Sequence, residues 1–480
     1  MKSTTEPKNL LYNYIMSDNS PKPIEHDVVM DGHSNTPADG VVLGGLERIK
    51  HLLAHGRVEE KVDALLDAFE YGQAGLEIII NSLHDLSKEV REAAYFLLIE
   101  SKELLATRVL QEYIPYEFFK CLYTWNEYTK ESLCYSISSD WTTLVSVNNT
   151  ECNFRNLKTG ELIRTWAIYL PSSDELKDFP DRDVTIAFTP YMQTLVTGSE
   201  GVMTVWDIQT DELIRTLKGN YLRAFQPYFN ERTAFNDGSY YDDHSDSEHP
   251  VKVWDLQTGQ LVCTIYVHIG EESDIIINHL QQFLTIVDFK YNSRYGFHDI
   301  VIKVWDVQTG EKIDTFNMPF SKSEPSFAPT LSQDGQTIVS CSGDRSIKVW
   351  NLLSKKITHI FQGYPPIYLS HKANILVSRV SRRADDNINV WDLIRGEITH
   401  TLQGSTPVAF STDTKVLVSG GVDNTIIVWN LQTGEKLCVL EGHSTQIVDI
   451  AISPDGRTIV SSSDNSDEYS NDGTIKVWGI

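Results

Sequence analysis

Carboxylates dominate the chemistry this chain could offer: 66 acidic against 41 basic side chains, a formal net charge of -25 over 480 residues. The densest run is NDGSYYDDHSDSEHP (236–250), where Tyr240 and Tyr241 lead into Asp242, Asp243, His244, Asp246, Glu248 and His249. Carboxylates and imidazoles at such density could hold calcium or zinc. The run lacks the alternating ligands and the glycine of a calcium loop, so no metal is expected. Three further insertions have related composition: FKYNSRYGFHD (289–299) with Tyr291 and Tyr295, SRRADD (381–386) with the basic pair Arg382 and Arg383, and SDNSDEYSND (463–472) with Asp467, Glu468 and Tyr469. No phosphate-binding Gly-Lys loop, kinase set, Gly-x-Ser-x-Gly elbow or His-Glu-x-x-His helix occurs. No catalytic residue and no cofactor is expected.

A second set of acids is periodic. Glu200, Glu248, Asp299, Asp344, Asp385, Asp423 and Asp472 each stand six residues before a tryptophan: Trp206, Trp254, Trp305, Trp350, Trp391, Trp429 and Trp478. They could form a ring of carboxylates. A turn-shaping role in each repeat is the preferred reading. Each Trp ends a β-branched run, and each but Trp478 is followed by a polar turn such as Gln-Thr-Gly and a second apolar run, as in VKVWDLQTGQLVCTI. That grammar is two antiparallel strands joined by a tight turn. Two more short apolar runs precede each Trp, such as IVDIAIS (447–453) and RTIVSSS (457–463). The unit is four strands, a to d, with Trp on c.

A period of roughly 40–50 residues closed by Trp-Asp or Trp-Asn marks a β-propeller. GHSTQIVDIAISPDGRTIV followed by DGTIKVW resembles the WD-repeat family closely. The resemblance implies a mainly β fold and a structural acid in each b–c turn, bonded toward a His and a Ser or Thr. His443 fits the His place; Gly219-Asn220, Gly363-Tyr364 and Gly404-Ser405 lack it. ECNFRNLKTGELIRTW (151–166) reads as an eighth unit with Phe154 in the Trp place, its a and b strands at 133–138 and 142–147. Trp141 falls in its a–b turn, where losing the ring should cost little. KCLYTWNEYTKESLCYSIS (120–138) aligns on 435–453, so a d strand near 120–125 is available to the last blade, which ends after its c strand. Eight blades over 119–480 are expected, with seven as the alternative.

The insertions fall in b–c and d–a links, which emerge at one end of an antiparallel blade, whereas a–b and c–d links stay short. Insertions on one face mark a binding face, here acidic and Tyr-rich. A non-enzymatic scaffold binding basic or neutral proteins follows. The alternative is an enzyme or ligand-binding propeller with its site at the central channel; small molecules are not expected as partners. The acidic surface argues against nucleic acid and anionic membrane.

Residues 1–40, rich in Pro, Ser, Asn, Asp and Gly, are expected to be a disordered tail. Residues 41–113 read as helical: Val62, Leu65, Leu66 and Phe69 share one face, Leu76, Ile79, Ile80 and Leu83 a second, and Val90, Ala93, Ala94, Leu97 and Leu98 a third. Gly72 and Gly75 are expected to break the first pair, and Ser87 to cap the next helix. HDLSKEVREAAYFLL resembles a HEAT repeat, with Asp85, Val90, Arg91 and Ala94 in the motif places. A HEAT-like front before a WD-repeat ring is similar to cyanobacterial proteins. The six Cys show no zinc spacing, no run nears the ~18 apolar residues of a membrane span, and the start has no secretory core, so a cytoplasmic protein is expected.

Overall fold

In a computed structural model, the chain divides into two units, Met1–Phe118 and Phe119–Ile480. The described residues are 45–126 and, beyond them, the strands and most short turns to 480. Residues 1–44, 127–133, 168–184, 219–232, 238–248, 268–273, 278–282, 293–296, 319–329, 382–386, 464–472 and some other short stretches lie outside them. Among the described residues no helix is long and apolar enough to cross a membrane.

Among the described residues the first unit has five α-helices: α1 (Leu46–His55), α2 (Val58–Phe69), α3 (Gly72–Ser82), α4 (Lys88–Ser101) and α5 (Leu104–Glu112). The three apolar faces meet in one core that includes Leu65, Ile79, Leu83, Val90, Ala93, Leu97 and Leu98. Local chemistry sets the helix ends. Glu60 accepts the Arg57 amide at 2.8 Å at the start of α2, and the Ser87 hydroxyl accepts the Val90 amide at 3.4 Å at the start of α4. Gly75 does not break a helix. It lies inside α3, buried, where a Cβ would sit 1.8 Å from the Ala68 carbonyl oxygen, so only glycine lets α3 start this close to the end of α2. Asp85 accepts the Ser87 amide at 2.8 Å and pairs with Lys61 at 2.9 Å. Arg91 donates to the carbonyls of Asp85 (2.6 Å) and Leu86 (3.0 Å) and grips both oxygens of Glu117.

The second unit is mainly β. Its described strands group into eight antiparallel sheets, seven of four strands and one of three. In chain order their c strands are Glu151–Asn156, Val202–Asp207, His249–Asp255, Phe297–Asp306, Ser346–Asn351, Asn387–Asp392, Ile426–Asn430 and Thr474–Gly479. In the three-stranded third sheet, the stretch before its b strand lies outside the described residues. In the eighth sheet the outer strand is Lys120–Asn126, which runs antiparallel to Thr474–Gly479 with Trp125 opposite Ile475. Cores form where the faces of successive sheets meet: Val145 and Phe154 against Leu195, Val339 and Ile347 against Leu376 and Trp391, Val377 and Ile388 against Leu417 and Trp429. Val460, Ile475 and Val477 of the eighth sheet pack with Leu144 and Leu157 of the first.

The Asp or Asn after each repeat Trp but Trp478 has a local role. Its side chain accepts amides of the turn it opens: Asp306 from Gln308 (2.8 Å) and Thr309 (2.9 Å), Asp392 from Ile394 (2.8 Å) and Arg395 (3.0 Å), Asn430 from Gln432 (2.8 Å) and Thr433 (3.2 Å). In the first sheet Asn156 does this for Lys158 and Thr159. That fixes the register and corrects the expectation for Phe154. The Trp place is held by Arg155, which pairs with Leu144 as Trp429 pairs with Leu417. Phe154 fills the preceding valine place, and the Arg155 guanidinium lies 5.2 Å from the Trp125 ring centre.

In three places a d-strand side chain reaches to the c–d turn of another sheet. Tyr123 donates its hydroxyl to the Lys158 carbonyl at 2.6 Å. Arg164, over the rings of Phe154 and Trp166, donates to the Ile208 carbonyl. His400 Nε2 sits 3.0 Å from the Leu431 carbonyl, which can only accept. The first and last of these side chains fill the space beside the turn glycines Gly160 and Gly434, whose φ values are 71° and 75°.

Candidate functional site

A buried polar network lies in the eighth sheet. The Trp478 indole donates to Ser461 Oγ at 2.9 Å. His443 Nε2 lies 2.6 Å from the same oxygen, and its Nδ1 lies 3.0 Å from Thr474 Oγ1, itself 2.9 Å from Ser463 Oγ. Burial, with the Lys476 charge adding to it, pulls the His443 imidazole down to about 4. At neutral pH the ring is therefore uncharged, with both nitrogens engaged. Such a histidine fastens the d–a link to the b and c strands and is poorly placed to move protons near neutrality. Ser461, Ser463 and Thr474 were not singled out in the sequence; the run SSS beside DGT was the available signal.

The sixth and seventh sheets do without the histidine, for a geometric reason. Ser411 follows Gly404 by seven positions, and Ser370 follows Gly363 by seven, whereas Ser453 follows Gly442 by eleven. These serines are equivalent: each accepts the amide five residues on, from Val416, Ile375 and Thr458. The shorter links carry the chain directly over the b strand, so that a Cβ on Gly363 or Gly404 would stand 2.6 Å from Ser378 or Ser419 Oγ. The inner end of the network survives: Trp391 donates to Ser378 at 3.0 Å and Trp429 to Ser419 at 2.9 Å. The second sheet substitutes Thr204, at 2.8 Å from Trp206 Nε1. The buried indole nitrogens of Trp254 and Trp350 have no partner among the described residues.

Of the periodic acids, Asp423 is described in its b–c turn. It accepts Thr425 Oγ1 at 2.6 Å, and that bond is the main cause holding its carboxyl below the usual range. Asp299 is inside a strand, opposite Lys290, because the fourth sheet's b and c strands run on to Asn292 and from Phe297. Most of the 289–299 insertion is thus an extended hairpin, with Tyr291 opposite His298. Tyr240, Tyr241, Asp242, Asp243, His244, Asp246, Tyr295, Arg382, Arg383, Asp467, Glu468, Tyr469, Asp344 and Asp472 lie outside the described residues. Trp141 is in its turn, yet it packs against the cluster of Trp125 and Leu144, so its ring is not idle.

The a strands carry a recess of about 280 Å³ lined by Tyr368, Leu369, Val408, Ala409, Phe410, Ala451 and Ile452. Burial, then the Asp449 charge, pushes the Tyr368 phenol up to about 12 and the Tyr135 phenol well above its usual range. Both stay protonated at neutral pH. Among the described residues no three potential metal ligands cluster.

The WD40 family, described as the WD domain with its G-beta repeat, matches residues 326–351, 396–430 and 434–479. The chain carries WD40 repeats. The second and third WD40 matches begin beside the outer strand of one sheet and end on the Trp strand of the next. Each of these two matches therefore spans parts of two successive sheets. Relatives with WD40-type similarity include nuclear distribution protein nudF of Aspergillus niger, 25% identical over 329 residues (65% of this chain, 62% of that protein). Autophagy-related protein 16 of Arabidopsis thaliana is 25% identical over 200 residues (40% and 39%), and Protein FIZZY-RELATED 1 of the same plant is 38% identical over 65 residues (14% and 12%). The match covers less than two thirds of the length of each of these relatives.

Proposed function

We propose that the chain is a non-enzymatic, cytoplasmic scaffold whose WD40 sheets close into an eight-bladed ring and present an acidic, Tyr-rich loop face to protein partners. The carrying observation is the contrast between the two strand ends. The described a–b and c–d links include tight turns locked by their own Ser, Asp and Asn side chains, as at Ser453–Asp455 (2.5 Å) and Asn430–Gln432 (2.8 Å), while nearly all the extra length of the sequence falls in b–c and d–a links. Pairing of Lys120–Asn126 with the last c strand supports the ring, since it covers a sheet edge that would invite foreign strands. The engaged, uncharged His443 supports a structural interior. The front unit is read as HEAT-like on the bonds made by Asp85 and Arg91. The test replaces Tyr240, Tyr241, Asp242 and Asp243 by Ser. The variant should fold normally and capture less partner from lysate, capture should weaken with salt, and Gln432→Ser on the opposite side should change nothing. Loss of capture in Gln432→Ser with full capture by the loop variant would place binding on the other face.

A further inference from the structure

A groove of about 510 Å³ runs along the seam between the sixth and seventh sheets. One wall is residues 401–404, the end of the strand Glu397–Gln403 and the start of the link after it. That strand is the outer strand of the sixth sheet, and such an edge offers a row of N–H and C=O groups to an added strand. Four consecutive residues line the groove, so it meets the strand along its edge and not on one face alone. The opposite wall is the seventh sheet, where Ile427 and Val439 form a cross-strand pair. Val439 is exposed and Ile427 half-buried.

The short d–a link leaves this seam open. Between the seventh and eighth sheets the longer link holds His443 against Ser461 and Thr474, and the Ser444 carbonyl accepts the Asn424 side-chain amide at 3.0 Å. Between the sixth and seventh, Gly404 passes directly into the strand Ser405–Phe410. Thr425, four residues before its Trp as Thr474 is, turns its hydroxyl to Asp423 instead. The exposed Asp423 carboxylate stands at this end of the groove, and the same bond keeps it ionised at neutral pH. The other end carries the exposed Lys436, opposite Trp429 and near the turn where His400 meets the Leu431 carbonyl. Four residue steps lead from Thr425 to Trp429, about 13 Å of extended chain.

We propose that this groove is a docking site for an extended segment of a partner protein, which adds as a strand beside residues 401–404 and presents a basic, an apolar and an acidic side chain at alternate positions. In such a segment residues i, i+2 and i+4 point to one side and also span about 13 Å. The basic side chain meets Asp423, the apolar one covers Ile427 and Val439, and the acidic one meets Lys436. Main-chain hydrogen bonds to the strand edge give affinity, and the three side chains give selection. The site is separate from the insertions of the loop face, and its occupancy does not depend on them.

Fluorescein-labelled peptides Ser-Arg-Thr-Val-Thr-Glu-Ser and, in the opposite order, Ser-Glu-Thr-Val-Thr-Arg-Ser are titrated with the full chain and binding is read by anisotropy. A third peptide has Gln in both charged places. One of the two charged orders should bind at least tenfold more tightly than the Gln peptide. Lys436→Glu should weaken that binding at least tenfold, and a peptide with Arg in place of its Glu should restore it. Val439→Asp should weaken binding without such rescue; both positions are exposed, and thermal melts check that both variants fold. Hydrogen exchange should slow at residues 401–404 and 436–440 when the peptide is bound. Replacing Tyr240, Tyr241, Asp242 and Asp243 by Ser should leave peptide binding unchanged, which separates this site from the loop face. Charged peptides that bind no better than the Gln peptide, full binding by both Lys436→Glu and Val439→Asp, or protection only elsewhere would overturn the assignment.

Discussion

The ring of Tyr123 occupies the space that a side chain on Gly160 would need: a Cβ there would lie 2.2 Å from the ring, while the Tyr123 hydroxyl reaches past it to the Lys158 carbonyl. Tyr123 belongs to the outer strand of the eighth sheet and Gly160 to a turn of the first, so the contact fastens one sheet to the next. Gly160→Ala should destabilise the β unit by about 2 kcal/mol, from left-handed backbone and lost contact together. Tyr123→Phe should cost about 1 kcal/mol, one hydrogen bond. Thermal melts that rank the two variants the other way would assign the fastening to the hydroxyl rather than to the ring.

His443 makes stability depend on pH. Its folded-state value of about 4 lies below the ordinary 6.5, so the unfolded chain takes up a proton first as pH falls. The stability it contributes is complete above 6.5 and is lost progressively between 6.5 and 4. From pH 7 to 5.5 the loss should be about 1 kcal/mol. Urea melts at the two pH values should show it, and His443→Asn should shrink the difference while lowering stability at pH 7.

Ser461 serves two donors or acceptors at once. Ser461→Ala would leave Trp478 Nε1 and His443 Nε2 buried without their oxygen. A cost of about 2–3 kcal/mol is expected. Ser419→Ala, which strands only the Trp429 indole, should cost about half as much, a comparison that denaturant midpoints can make directly.

The pairing of Lys120–Asn126 with Thr474–Gly479 predicts a sharp boundary for truncation. Removing residues 1–118 should leave a soluble β unit, whereas removing 1–130 uncovers the edge of the last c strand and should cause aggregation. Sedimentation of the two proteins decides it; equal solubility would argue against a ring closed by this strand.

Much of the β unit was legible because period-two apolar runs and turn residues are local signals. The c strands, the Asx turns and the cap by Ser87 all rest on side chains near in sequence. Register in the first sheet was harder: Phe154 and Arg155 compete for one place, and only the turn cap by Asn156 decides between them. The role of Trp141 was missed because its partners, Trp125 among them, come from another sheet. Gly75 looked like a breaker because sequence shows a glycine's freedom but not the Ala68 carbonyl that demands its small size. Loss of the histidine in the sixth and seventh sheets was visible, but its cause, a shorter d–a link, needed the equivalent serines aligned in space.

The strand shared between the two extremes of the β unit has a consequence for how the protein is made. Lys476 bonds Thr124 at 2.8 Å across 352 residues of chain. At about 5–20 residues per second of synthesis, Lys120–Asn126 waits roughly 20–70 s for its partner to leave the ribosome. Throughout that interval a seven-residue strand with Trp125 and Tyr123 on it has no sheet to join. The helical unit ahead of it can finish folding within that time, and the nascent chain must keep the waiting strand from pairing with its neighbours on the same message.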